Sequence, residues 1–190
     1  MNHIIMAFDR GVQMRKEIPL FKIGGLQLSA MPSAVAGWLL LWLALALIAV
    51  AAIGLTRGQA ILGGALATVI HILSETAHQV GHAVAAGRTG FPMIGVRYWG
   101  VLSTSVYPAV EPDLPGVVHI RRALGGPVMS CGLGLAAMAL TLLLGPADGV
   151  IFWLAAFAAV DNLLVLGLGA FLPLGFTDGS TLLRHWRVRQ

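Results

Sequence analysis

Long apolar runs separated by short polar segments dominate the chain, and four of these runs are long enough to cross a bilayer. A helix that spans a hydrocarbon core of roughly 30 Å needs about 20 mostly apolar residues. The sequence therefore predicts four transmembrane helices, at about 34–55, 60–86, 123–144 and 150–172. We interpret 34–184 as a single transmembrane domain, preceded by an N-terminal segment at 1–33 and followed by a tail at 185–190.

Composition supports a membrane environment. Of the 190 residues, 57% are hydrophobic and 11% are charged, whereas soluble domains carry about 25% charged residues. Cys131 is the single cysteine, so the chain can form neither an intrachain disulfide nor a zinc site of paired thiolates. The net charge of +4 does not indicate nucleic-acid binding, because the basic residues are not clustered with aromatic residues.

The lysines and arginines are unevenly distributed between the two sides that four crossing helices create. Four precede the first helix, four lie between the second and third, three follow the fourth, and Arg57 alone lies between the first and second. By the positive-inside rule, this distribution places both termini and the loop at 87–122 in the cytoplasm. The sequence therefore predicts an integral membrane protein, located in the cell membrane.

Two shorter regions favour strands. Residues 20–29 form two short apolar runs around Gly24 and Gly25, which is a signal for a hairpin with a two-residue turn. Residues 91–107 are rich in valine, tyrosine and threonine and suit either strands or an ordinary surface loop. The predicted fold class is an all-α membrane protein of four transmembrane helices with short cytoplasmic β-hairpin elements.

The second predicted helix carries ionisable residues, each of which costs about 3 kcal/mol at the centre of a bilayer and so usually marks function. They are His71, Glu75, His78 and His82, with Gln79 alongside. Their spacing places them on one stripe of the helix. His78 and His82 are four residues apart, so both imidazoles can reach one metal ion. A catalytic zinc site needs three protein ligands, and this pair lacks one.

Asp178 is the carboxylate expected to complete the site. The second and fourth predicted helices run in the same direction, which brings Asp178 to the depth of the two histidines. Pro173 and Gly175 break the helix before it, and unwound backbone at this depth is tolerated only where it lines protein or a watery cavity. The alternative is a solvated residue beyond a helix end. We expect Asp161 to hold helices together and His71 to hydrogen-bond to Glu75.

Three segments resemble, in the same order, the site-2 protease family of intramembrane zinc metalloproteases. HQVGHAVAAGRTG at 78–90 is similar to the zinc helix HExGH, ALGGPVMS at 123–130 to the start of the next core helix, and FLPLGFTDGSTLL at 171–183 to the segment ending in Asp-Gly. The resemblance implies Zn²⁺ held by His78, His82 and Asp178, a cavity open to the cytoplasm, and hydrolysis of a peptide bond in a partly unwound transmembrane segment. It also implies that a strand after the second helix pairs with the extended substrate.

Two positions depart from the family pattern. Gln79 stands where the family has its catalytic glutamate, and an amide cannot act as a general base near neutral pH. Ala170 stands where the family usually has an asparagine. Gln79 has three competing explanations: an inactivating substitution, a natural pseudoprotease, or an enzyme that uses another base. For the last, Glu75 is the candidate substitute, one turn or about 6 Å away along the helix axis.

The sequence therefore predicts a site-2-protease-like integral membrane zinc metallopeptidase that cleaves transmembrane substrates, impaired if nothing replaces the missing glutamate. Two alternatives remain open. One is a catalytically inactive pseudoprotease that binds transmembrane segments, and the other is a metal-handling bundle in which the stripe relays ions. The expected partners are a transmembrane protein substrate or client and the lipid bilayer, with no nucleic acid.

Overall fold

The computed structural model describes residues 17–186, which form a helical bundle with a small sheet packed against it. The helices are α1 (Pro32–Ala51), α2 (Arg57–Arg88), α3 (Gly116–Leu143), α4 (Val150–Phe171) and α5 (Asp178–Trp186). The strands are β1 (Ile18–Ile23), β2 (Leu26–Ala30), β3 (Gly95–Trp99) and β4 (Leu102–Val106). Helices α1 to α4 are long and apolar enough to cross a membrane, as predicted. Residues 1–16 of the predicted N-terminal segment and residues 187–190 of the predicted tail lie outside the described residues.

The outer surface of the bundle is apolar. On α1, four leucines are 56–67% exposed: Leu39, Leu40, Leu43 and Leu47. Monomeric soluble proteins rarely expose continuous apolar surface of this kind, whereas a membrane helix presents it to lipid. The exposed leucines therefore agree with a membrane-embedded bundle.

The four strands form one mixed sheet in the order β1-β2-β3-β4. The pairs β1–β2 and β3–β4 are antiparallel hairpins, and β2 pairs with β3 in parallel. Gly24 and Gly25 form the first turn with φ of 55° and 87°, as the predicted two-residue hairpin requires. The prediction of an all-α fold with separate hairpins was incomplete, because the hairpins join through this parallel pairing.

One face of the sheet packs against the helical bundle. Leu28, Ala30, Val96 and Tyr98 on this face are at most 2% exposed. The hydroxyl of Tyr98 lies 2.6 Å from that of Thr76 on α2, so the sheet is also tied to α2 by a hydrogen bond.

Helices α2 and α3 cross at a contact made by glycines. A Cβ at Gly81 would overlap the backbone of Gly125, and a Cβ at Gly125 would overlap that of Gly81. Membrane helices associate closely where small residues let their backbones approach. This crossing places the first turns of α3 directly beside His78 and His82.

Helix α4 is irregular in its second half. It is α-helical as far as Val160, a π-helix over Asp161–Leu168 and a 3₁₀ turn over Gly169–Phe171. Pro173 follows, so the helix ends where the sequence predicted, before Asp178. Asp178 instead begins α5, since proline cannot continue the hydrogen-bond ladder.

The segment between α4 and α5 turns back tightly. Gly175 has φ of 91°, and its amide donates to Ser180 Oγ at 2.7 Å. A Cβ at Gly179 would overlap the backbone of Phe171, so the first turn of α5 lies against the end of α4. This return directs the start of α5 toward α2.

The glycine crossing gives a first prediction. Gly125→Ala should lower the free energy of unfolding by about 1–3 kcal/mol, because a methyl group is forced into a packed contact. The matched control is Gly132→Ala in the same helix, where a Cβ meets nothing within 4 Å and helix propensity favours alanine by about 1 kcal/mol. Thermal unfolding in detergent measures both, and equal midpoints for the two variants would contradict the packing argument.

Candidate metal centre

The structure brings the three predicted ligands together. His78 Nε2 and His82 Nε2 are 3.0 Å apart. Asp178 Oδ2 lies 3.3 Å from His78 Nε2, and Asp178 Oδ1 lies 3.3 Å from His82 Nε2. Over residues 17–186, this is the one group of three or more histidine, cysteine or acidic residues whose ligand atoms all lie within 4.8 Å of one another. Two come from α2 and the third from the first turn of α5.

These separations suit a small tetrahedral cation. Zinc with ligands at 2.0–2.1 Å holds neighbouring ligand atoms about 3.3 Å apart, and the three observed distances are 3.0, 3.3 and 3.3 Å. Two imidazole nitrogens and one carboxylate also match the donor types of catalytic zinc sites, which keep a fourth position open. The cluster is therefore a possible zinc site by both distance and donor chemistry.

The outward-facing ring nitrogens have protein partners. His82 Nδ1 lies 2.8 Å from the backbone carbonyl of Arg122, and His78 Nδ1 lies 2.9 Å from Ser130 Oγ. The Gly126 amide also lies 3.3 Å from His82 Nδ1. The Arg122 carbonyl oxygen is the closer partner and can only accept a hydrogen bond, so Nδ1 carries the proton. In His82, this leaves the lone pair on Nε2, the tautomer that a metal ligand requires.

The neighbouring backbone leaves room beside the ring nitrogens. A Cβ at Gly126 would overlap Nε2 of both His78 and His82. Glycine is therefore required at this position of α3 if the two rings are to keep their orientation. Lone pairs and a carboxylate facing one another repel unless a cation or proton lies among them, and this donor set fits a metal ion.

Asp178 is suited to be the anionic ligand. Burial alone would raise the pKa of its carboxyl, but when no metal is bound and the His78 or His82 ring carries a proton on Nε2, the hydrogen bonds and charge of these rings outweigh burial and bring that pKa below its usual value. The side chain is 18% exposed, whereas the two histidine side chains are 6–8% exposed. Asp178 is therefore ionised at neutral pH and lies on the open side of the cluster.

The cluster opens onto a cavity of about 680 Å³. Strand β4 forms one wall of the cavity, and Leu172, Leu174 and Phe176 of the segment after α4 form another. Phe176 also makes an edge-to-face contact with Trp99 at the end of β3, with ring centroids 5.9 Å apart. The cavity volume falls in the range of small-ligand sites. The edge of the sheet borders the cavity.

Gln79 and Glu75 line the same cavity, and both turn toward β4. Ser105 Oγ donates to Gln79 Oε1 at 2.7 Å, and Ser103 Oγ donates to the carboxylate of Glu75. Both side chains are 4% exposed. Gln79 thus follows His78 in the chain, and its side-chain oxygen Oε1 already accepts a hydrogen bond from Ser105.

His71 does not bond to Glu75 as expected. Its Nδ1 lies 3.0 Å from Asp161 Oδ1, and its Nε2 lies 2.8 Å from the carbonyl oxygen of Val101. The expectation was wrong because Glu75 turns to Ser103 instead. The predicted role of Asp161 as an interhelical contact agrees with this geometry, since it joins α4 to α2.

Sequence reasoning missed Ser130 and Arg122. Ser130 is fully buried, yet one serine in an apolar helix gives no specific signal. Arg122 is 4% exposed and forms an ion pair with Glu111 at 2.7 Å. Its guanidinium also lies 4.1 Å from the centre of the Tyr107 ring. A hydrogen bond from Arg122 lowers the pKa of Glu111, and this contact connects the segment before α3 to the second turn of the helix.

Comparisons with known proteins agree with this arrangement. No family model matches the chain. Two curated proteins named "Putative zinc metalloprotease Rip3", from two strains of Mycobacterium tuberculosis, are each 32% identical to it over 182 residues. The match covers 93% of this chain and 45% of each relative, so the chain spans less than half the length of the curated relatives it matches.

The fold has a counterpart among solved structures. The site-2 protease from Methanocaldococcus jannaschii superposes with a TM-score of 0.63 at 16% sequence identity, covering 92% of this chain and 73% of that chain. The chain is thus similar in sequence to proteins named as putative zinc metalloproteases and in fold to a site-2 protease. The predicted resemblance to the site-2 protease family is confirmed by the relatives in sequence and by the solved structure in fold.

The cluster gives a second prediction. His82→Ala should abolish stoichiometric zinc binding, because it removes one of three ligands. Ser130→Ala should weaken zinc binding about 10-fold or more, because it frees the His78 ring. Elemental analysis and competition with a chelating dye measure both.

His71→Ala is the matched control for these variants. It removes a histidine from the same stripe of α2 whose ring nitrogens contact Asp161 and Val101. Its zinc content should equal that of the unmodified chain. Loss of zinc in this variant together with full zinc in His82→Ala would contradict the assignment and favour a metal-relaying stripe.

Proposed function

We propose that the chain is a site-2-protease-like integral membrane zinc metallopeptidase that acts on transmembrane segments, with hydrolysis impaired by Gln79. The observation that carries the proposal is the convergence of His78, His82 and Asp178 on one cavity wall. In this proposal the three residues are the zinc ligands. A bound zinc ion would polarise the scissile carbonyl and lower the pKa of a water molecule.

The sheet supplies a place for the substrate backbone. Strand β4 pairs with β3 on one side, and within the described residues its other edge has no strand partner. An extended peptide can add to such an edge through main-chain hydrogen bonds. Because β4 also lines the cavity, a peptide bound there would pass close to the metal ligands.

The chain's own residues limit proton transfer. Gln79 has no basic group, and its Oε1 accepts a hydrogen bond from Ser105. Glu75 is a carboxylate in the same cavity, but Ser103 and the buried interior of α2 hold it one turn away. We therefore expect slow hydrolysis at best, with Glu75 as the substitute base if any turnover occurs.

The hydrogen bond from Ser105 to the side-chain oxygen of Gln79 also favours a second candidate function. A chain that binds transmembrane segments without cleaving them would keep the metal ligands, the cavity and the free edge of β4. The Gln79–Ser105 hydrogen bond completes the wall of such a binding cavity. The two candidates differ only in whether bound peptide is hydrolysed.

The proposed orientation places both termini and the mouth of the cavity in the cytoplasm of a cell membrane. Arg88, Arg97, Arg121 and Arg184 lie in the described part of the chain on the side of the bundle that carries the sheet and α5. The positive-inside rule assigns that side to the cytoplasm. Access from the cytoplasm would also supply the water that hydrolysis consumes.

The substitution at position 79 gives a third prediction. Gln79→Glu should raise cleavage of a model transmembrane substrate by about 100-fold or more, the usual contribution of a general base. Vesicles that contain the purified protein and a fluorescently tagged single-span substrate provide the assay. Product bands on gels measure the rate.

Two further variants make the assay specific. Gln79→Glu combined with His82→Ala should be inactive, because the metal ligand is removed. Glu75→Gln should abolish any residual cleavage by the unmodified chain if Glu75 is the substitute base. Equal cleavage by the unmodified and Gln79→Glu chains would contradict an impaired base, and cleavage only by Gln79→Glu would favour the pseudoprotease.

A further inference from the structure

Three polar residues of α2, each one turn from the next, contact three alternate positions of the β3–β4 hairpin. The pairs are His71 with Val101, Glu75 with Ser103, and Gln79 with Ser105. The first contact joins Nε2 to a carbonyl oxygen at 2.8 Å, and the third joins Oγ to Oε1 at 2.7 Å. We call these three contacts the polar ladder.

The spacing of the polar ladder is the same on the helix and on the strand. Four residues of an α-helix advance about 6 Å, and two residues of a strand advance about 6.6 Å. Because these repeats nearly agree, α2 stays in phase with the segment 101–105, which is the end of the hairpin turn and the first part of β4. If β4 shifted by one residue, Ser103 and Ser105 would point away from α2, and Thr104 would face the helix instead.

The strand residues are arranged for this single register. Ser103 and Ser105 pair with Tyr98 and Val96 across the hairpin, and both of these partners are buried against the bundle. Thr104 lies between the two serines on the opposite, exposed face. The helix side chains of the polar ladder are 4–5% exposed, so a lost partner could not be replaced freely by water.

We propose that the polar ladder fixes the register of β4 along α2, and that Gln79 is a positioning residue for the strand edge that receives a peptide. The receiving role of β4 rests on the proposed function, whereas the register does not. In this role Gln79 acts through Ser105 on the backbone of β4. Gln79 stands where the family has its general base, and it accepts the Ser105 hydrogen bond that a glutamate at this position would also accept.

Amide hydrogen exchange of residues 102–106, followed by mass spectrometry on the full chain in detergent, tests the ladder. Ser105→Ala and Gln79→Leu should each speed exchange in β4 about tenfold, because each leaves one buried polar partner unpaired. The double variant should exchange no faster than either single variant, since removing both partners of a hydrogen bond is nearly neutral. Rates for residues 26–30 in β2 report whether the fold as a whole is intact.

Conservative variants separate the hydrogen bond from general packing. Ser105→Thr keeps the hydroxyl and Gln79→Glu keeps an acceptor, so both should retain protection of β4. Thr104→Ala, on the opposite face, should also retain it. Unchanged exchange in Ser105→Ala, or a double variant whose effect equals the product of the single effects, would overturn the ladder.

A binding measurement tests the positioning role. Binding of the tagged single-span substrate should weaken about fivefold in Ser105→Ala, which corresponds to one lost hydrogen bond, and should recover in Ser105→Thr. Equal affinity in both variants would overturn the positioning role.

His82→Ala separates this inference from the proposed function. It should lose zinc yet keep full protection of residues 102–106. A chain that fails to bind zinc but shows the expected exchange pattern would overturn the metallopeptidase proposal and support the ladder.

Discussion

The close approach of α2 and α3 at Gly81 and Gly125 is the constraint on which the rest of the site depends. Only at this separation can Ser130 and the Arg122 carbonyl reach the outer nitrogens of His78 and His82. Interiors pack at crystal-like density, so even one added methyl group at the crossing would alter the distances between ring nitrogens. The geometry of the candidate metal centre is thus determined by backbone contact as much as by its ligands.

The polar interior of the bundle is organised into separate groups. The candidate metal centre faces the cavity, the Arg122–Glu111 ion pair lies near the start of α3, and the His71–Asp161 pair joins α2 to α4. The Arg122–Glu111 pair brings opposite charges together, as buried charges require, whereas the candidate metal centre needs a cation or proton among its ligand atoms. Among the described residues, Asp161 Oδ2 has no hydrogen-bond partner, and it lies at the first turn of the π-helix.

Short-range patterns in the sequence predicted much of this structure, but they did not predict contacts between residues far apart in the chain. Apolar run length gave the number of helices, the Gly24–Gly25 pair gave the first hairpin, and histidine spacing gave two of the candidate ligands. Nothing within a short window specifies that β2 pairs with β3 or that His71 reaches Asp161. The end of α4 was predicted within one residue because Pro173 interrupts the hydrogen-bond ladder, but the short helix α5 that begins at Asp178 was not predicted.

The parallel pairing of β2 with β3 has a consequence for synthesis. Two complete membrane helices, α1 and α2, separate these strands in the chain. The first hairpin therefore leaves the ribosome without the neighbour that covers its edge. At translation rates of about 5–20 residues per second, several seconds pass before β3 has been synthesised. Both helices must therefore be inserted before β2 can pair with β3.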